Sequence, residues 1–218
     1  MVHEINRLKW QVEFKCLGIW CHHNVKHRTE KNYRERIDKL RTVLNIWKQR
    51  NLSIKGKITV IWSIGLPQTL YLTSVMFTPQ WVIDEIDRIL FDFLWPNKKA
   101  HVKKATIIAH IEEGGLKMVH FEQMQKAIKL NWVKRFLTMS QDDNCSVLAQ
   151  NHMCLPLSLK HVFRCKLKKK SIHCTSAFYK QLLEYWFALY TKAPENADEI
   201  FKQSLWFNSN IIVDNNEV

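Results

Sequence analysis

Residues 31–50 read KNYRERIDKLRTVLNIWKQR, and Tyr33, Ile37, Leu40, Leu44 and Trp47 recur there at three- and four-residue steps. That is the period of an α-helix with one apolar stripe, and the stripe must pack. Thr29 stands ahead of it as a candidate cap. Glu30 with Arg34 and Glu35 with Lys39 are four apart in the favourable order, so part of the helix charge is internally compensated. Arg34, Arg41 and Lys48 recur every seven residues and predict a cationic stripe beside the apolar face, with no acid at that spacing to oppose it. Such a stripe can meet phosphates.

Working outward, Ser53 caps a second segment with Ile54, Ile58 and Ile61, and Leu66-Pro67 opens a third with Leu70, Tyr71 and Val75. From Ile58 to Ile83 no charge appears, but Gly65, Pro67, Pro79 and frequent Thr, Ser and Gln interrupt the run. It reads as the interior of a soluble fold, not as a membrane span. Thr78-Pro79 resembles a cap and first-turn proline before a helix with Val82, Ile83, Ile86, Ile89, Leu90, Phe93 and Leu94 inward. Asp84, Glu85, Asp87 and Asp92 make its outer face acidic, which suits a brace better than a contact for nucleic acid.

Trp95-Pro96-Asn97 ends that helix, and Lys98, Lys99, Lys103 and Lys104 form a basic connector. Phe121 to Met139 is again amphipathic, with Phe121, Met124, Ile128, Trp132 and Phe136 on one stripe and Lys126, Lys129 and Lys134 outside it. Lys160 to Lys170 is a further basic block. Phe178, Tyr179, Leu182, Leu183, Trp186 and Leu189 predict a last strong helix, and no convincing element follows beyond Phe201 to Trp206. No internal repeat is visible.

The 218 residues suffice for one large domain or two small ones. Nine Trp and 11 Phe against five Gly and five Pro favour long helices over turn-linked strands. The 33 Lys and Arg against 20 Asp and Glu leave a formal charge of +13, which points to a polyanionic partner, nucleic acid ahead of an acidic membrane. No secretory leader is read in Met1 to Trp10, and six scattered cysteines suit reduced thiols, so an intracellular location, nuclear or cytoplasmic, is expected.

No residue set carries catalysis. The one Asp-Asp pair, Asp142-Asp143, has no apolar strand beside it and reads as a solvated loop instead of a two-metal carboxylate site. No Gly-x-Ser-x-Gly elbow and no phosphate-cradling Gly-rich loop occur. Cys16, Cys21, His22, His23 and His27, the pair His152 and Cys154, and the pair His173 and Cys174 lack paired Cys-x2-Cys spacing, so no metal and no cofactor are expected. The basic blocks are more numerous: Lys48, Arg50, Lys55 and Lys57 surround the helix junction beside Trp47.

Phe14-Lys15-Cys16-Leu17-Gly18-Ile19, Leu52-Ser53-Ile54-Lys55-Gly56-Lys57-Ile58 and Leu66-Pro67-Gln68-Thr69-Leu70-Tyr71 together resemble LINE-type non-LTR retrotransposon reverse transcriptases. Phe91-Asp92-Phe93-Leu94-Trp95, Glu113-Gly114-Gly115-Leu116, the Ala127 to Trp132 helix and Leu205-Trp206-Phe207-Asn208 continue the family's order over nearly the whole chain. The resemblance implies the end of a polymerase palm over 1–28 as a short β-hairpin, a helical thumb over 29–97, and a post-polymerase helical region with a basic connector over 98–218. It places the family's Asp-Asp motif and endonuclease upstream of Met1, so the chain itself is expected to be no enzyme. Trp62 departs from the pattern, because family members usually place a lysine after the Val60-Ile61 position.

The fold expected is therefore mainly α, a thumb-like helical bundle with a β-hairpin remnant at the N-terminus and a smaller second helical region. The expected function is a backbone grip on an RNA or DNA template-primer duplex. Arg34, Arg41, Lys48, Arg50, Lys55 and Lys57 are its contacts, with Lys98, Lys99, Lys103 and Lys104 as a second set. An upstream palm and fingers module supplied in trans is a further partner the resemblance allows; a membrane is not expected. The competing reading is an inert remnant, or an independent helical interaction protein whose charges only keep it dissolved.

Overall fold

Asparagine, not threonine, starts the first long helix. Asn24 caps α1 (Val25–Lys48), its Oδ1 accepting from the His27 amide at 3.1 Å, and Thr29 lies inside the helix with its hydroxyl on the Val25 carbonyl. The structure, a computed structural model, describes residues 3–5, 8–10, 12–96, 102–140, 143–153, 158–163, 174–189, 198, 212–213 and 216–217. It is mainly α, with antiparallel strand pairs at the N-terminus. Strands β1 (His3–Ile5) and β2 (Leu8–Trp10) pair, and β3 (Glu13–Cys16) pairs with β4 (Ile19–His22) through Leu17-Gly18. Both turn residues take positive φ, 48° and 79°, the two-residue geometry that matches strand twist.

The uncharged run becomes α2 (Ile54–Val60), a π turn at Ile61–Gly65, and α3 (Pro67–Val75), with Ser53 capping α2 through the Gly56 amide. Its hydroxyls are satisfied locally, Thr69 on the Leu66 carbonyl and Thr73 on that of Thr69, so they can be buried without an orphaned donor. No single helix among the described residues is long and apolar enough to cross a membrane; α2 with its π turn and α3 would qualify only as a pair bent by 48°.

Helix α4 (Gln80–Leu94) starts one residue later than the Thr78-Pro79 motif suggests. Pro79 occupies the cap position, while Thr78 is buried with its hydroxyl 2.9 Å from that of Tyr33 on α1. The seven apolar residues expected inward on α4 are all buried. They share one core with Tyr33, Ile37, Leu40 and Leu44 of α1 and with Ile61, Leu66 and Leu72. Ile107 of α5 (Lys104–Ile108), Met118, Val119 and Phe121 belong to the same core, although they lie beyond the boundary expected between 97 and 98.

The chain forms two compact units, residues 1–125 and 126–218, and the division falls inside α6 (Phe121–Thr138). The second unit packs Val133 and Phe136 of α6 with Ala149 and Met153 of α7 (Asn144–Met153), Val162 of α8 (Leu159–Val162) and Leu182, Leu183 and Phe187 of α9 (Ala177–Leu189). Leu189, the last of the apolar residues that predict this helix, is 63% exposed. Lys129 reverses a second expectation. It is not outside the α6 stripe but fully buried, with its ammonium on the Gln181 side-chain oxygen and over the Phe178 ring. The last pair, β5 (Ile212–Val213) with β6 (Asn216–Glu217), is antiparallel. Most of the basic block from Lys160 to Lys170 and the segment from Phe201 to Trp206 lie outside the described residues.

Candidate nucleic-acid interface

The N-terminal hairpin is clamped to α1 through Trp20. Its amide donates to Asn32 Oδ1 and its carbonyl accepts from Asn32 Nδ2, both at 2.9 Å, while its indole Nε1–H donates to Glu35 at 2.8 Å. Lys31 lies over the ring at 3.8 Å and bonds Glu13 on β3. The Trp20 indole, then the ammonium of Lys39 and that of Lys15, hold the Glu35 carboxyl down to about 2. A carboxyl whose folded pKa lies below its unfolded one stabilises fully above pH 4.5, and that stabilisation is lost as the pH falls towards 2. The hairpin is therefore expected to loosen over that acid window, seen as faster exchange of the Trp20 indole proton. Glu35→Gln should abolish the pH dependence of that step; a step that persists in the variant would assign it to other carboxylates.

The cations expected to form one stripe divide into two groups. Arg34 donates to Glu30 at 2.6 Å, and Arg41 reaches Glu85 of α4 and lies 3.7 Å from Asp38. Two of the stripe's three cations are thus compensated, Arg34 within α1 and Arg41 because α4 brings Glu85 to it from 44 residues downstream in sequence, while Lys48 is not among the described residues. Lys104 pairs with Asp87 at 2.9 Å and lies over Phe91, and Arg88 pairs with Glu85 at 2.7 Å. The acidic face of α4 therefore takes up neighbouring cations instead of standing bare. Lys57 is half-buried and donates to the Leu94 carbonyl at 3.1 Å, where a cation favourably meets the C-terminal end of a helix.

Lys48, Arg50, Lys55 and Lys103 are exposed and make no ion pair among the described residues; Lys98 and Lys99 lie outside those residues. Arg50 stacks over Trp47 at 4.5 Å, which orders its guanidinium while leaving its N–H donors available. Lys48 lies on the rim of a groove of about 280 Å³ between α1 and α4, with Arg41, Asn45, Arg88 and Asp92 around it. Lys48, Arg50 and Lys55 fall within eight residues of sequence, at the junction where α1 ends and α2 begins. Two residues that sequence reasoning did not offer as contacts, Trp62 and Lys117, lie together through a hydrogen bond from the indole N–H to the Lys117 carbonyl. The signal available for Trp62 was a large aromatic at a helix position that α-helical periodicity leaves outside the core.

Among the described residues no three His, Cys, Asp or Glu side chains are grouped to hold a metal. The rings of His23 and His27 lie tilted against His22, with centroids 4.1 and 4.7 Å away, and His22 Nδ1 accepts from the Asn24 amide. Cys16, Cys21, Cys145 and Cys174 are in no disulfide among the described residues, while Cys154 and His173 lie outside them. Asp143 caps α7 by accepting from the Cys145 amide at 2.9 Å, which gives one member of the Asp-Asp pair a local structural role.

No family model matches the chain. A curated Arabidopsis thaliana protein named "Putative ribonuclease H protein" is 24% identical over 114 residues. The match covers 49% of this chain and 18% of that protein's length.

Proposed function

We propose that this chain is the non-catalytic, nucleic-acid-gripping part of a retroelement protein, the thumb and post-polymerase region of a LINE-type reverse transcriptase. The name of the Arabidopsis relative supports a retroelement-related, nucleic-acid-directed origin; the ordered motifs from Phe14 to Asn208 support the finer assignment. The observation that carries the binding role is the group of Lys48, Arg50 and Lys55 at the α1–α2 junction, which make no ion pair among the described residues while Arg34, Arg41 and Lys104 are paired with carboxylates. In this reading the three hold backbone phosphates of a template-primer duplex without reading bases, and bond-making residues belong to a palm outside this sequence.

Combined replacement of Lys48, Arg50 and Lys55 by alanine should weaken binding to a labelled RNA–DNA duplex at least about tenfold. It should also reduce the salt slope of the affinity by roughly two to three, as expected for three lost phosphate contacts. Lys104→Ala, which removes a cation already paired with Asp87, should leave both quantities near the native values. An unchanged affinity and slope in the triple variant would overturn the assignment and favour charges that only keep a helical domain dissolved.

A further inference from the structure

The π turn at Ile61–Gly65 buries Ile61 and Gly65 yet leaves the Trp62 ring 44% exposed. Single π turns inside helices often mark functional positions. The indole's one polar atom is occupied, donating to the Lys117 carbonyl at 3.2 Å, so the ring has only apolar surface left to offer. Its anchor belongs to a tightly folded loop. There the amides of Gly115, Lys117 and Met118 donate to the carbonyls of His110, Ala109 and Ile107 at 2.8 to 3.0 Å. Lys117 itself sits at φ 52°, a conformation that a side-chain-bearing residue keeps only where its surroundings impose it.

Lys55 precedes Trp62 by seven residues, two turns of helix, and so shares its face. The exposed residues around the ring on this segment are Lys55, Thr59 and Ser63, all polar. An exposed ring on a helix face that also carries the exposed Lys55, its indole held by the backbone of the exposed Lys117, combines the aromatic surface and the cations that single-stranded nucleic acid uses, its bases stacking and its backbone neutralised. The loop's carboxylates, Glu112 and Glu113, precede the reversal at Gly114.

We propose that Trp62 is a stacking platform for an unpaired nucleobase, with Lys55 and Lys117 meeting the adjoining phosphates. The inference rests on the nucleic-acid reading above and adds to it a preference for a single-stranded extension over a blunt duplex. The test compares the full chain's affinity for a blunt RNA–DNA duplex and for the same duplex carrying a short single-stranded overhang, by fluorescence anisotropy. The native chain should prefer the overhang, and Trp62→Ala should reduce that preference about tenfold. Trp62→Phe, which keeps a ring but lacks the N–H, should retain most of it and guards against a folding defect in the alanine variant. Equal native affinity for the two probes, or a preference untouched by Trp62→Ala, would overturn the platform while leaving the phosphate grip intact. Failure of the native chain to bind either probe would overturn both.

Discussion

Lys129→Met is expected to remove an alkaline rise in stability that the native chain shows between about pH 7 and 10.5. The Lys129 ammonium is buried between α6 and α9, on the Gln181 side-chain oxygen and 5.5 Å from the Phe178 ring centre. Burial pushes its pKa down from 10.5 to about 7. The folded chain thus releases this proton well before the unfolded chain does, and stability rises with pH wherever the unfolded state holds more protons. As the pH falls from 10.5 the penalty grows by about 1.4 kcal/mol per unit, then levels off below about 7. The full span is roughly 3 to 5 kcal/mol, a large fraction of a domain's net stability.

Methionine keeps the length of the stem and drops the charge, so at pH 7 the variant should be the more stable protein. Part of the gain is offset because Gln181 loses a donor, at a cost of about 1 to 3 kcal/mol, and Gln181→Leu in the same chain should recover that part. Denaturant unfolding at a series of pH values checks the prediction, and the difference between native and variant curves isolates Lys129 from thiols and tyrosines that titrate nearby. Parallel curves would mean that water or a rearranged side chain solvates the ammonium in the folded state.

Gly115→Ala is expected to destabilise the first unit by about 3 kcal/mol or more, through overlap with backbone that has nowhere to go. A methyl group at this buried position would run into the carbonyl of Ala109, whose Cβ also lies only 2.8 Å away. That carbonyl accepts from Lys117, so moving it disturbs the loop that anchors Trp62. The adjacent Gly114→Ala makes the control. Gly114 sits at φ 77° with nothing within 4 Å of an added Cβ, so only the left-handed backbone penalty applies, about 1 to 2 kcal/mol. Denaturation midpoints of the two variants should therefore differ clearly, and equal losses would contradict the close approach at 115.

Three features of the fold were legible for a common reason. The apolar stripes of α1, α4 and α9 repeat within a few residues, and a helix buries whatever such a stripe presents, so Tyr33, Leu40, Ile86, Leu90 and Leu182 could be placed before any neighbour was known. Cap positions were less legible. Thr29 and Asn24 both offer side-chain acceptors near the start of α1, and the choice fell to Asn24 because Trp20 on β4 grips Asn32, which lies one turn beyond Thr29. The Thr78 hydroxyl has the chemistry of a cap but is used inside the core, where Tyr33 from another helix supplies its partner.

The sequence by itself determined a mainly helical chain with a short hairpin at its N-terminus, the inward faces of its long helices and a strong excess of positive charge. Only the tertiary structure decided which cations are left to meet an anion, because neutralisation depends on separations of a few ångströms between side chains on different elements. Glu85 finds Arg41, Asp87 finds Lys104, and Lys57 finds the end of α4. Lys129 shows the same division in its sharpest form: its place on the α6 wheel marks it for solvent, and α9 closes over it. Helical periodicity is a local property of the chain, whereas the dielectric surroundings of a charge belong to the whole packed molecule.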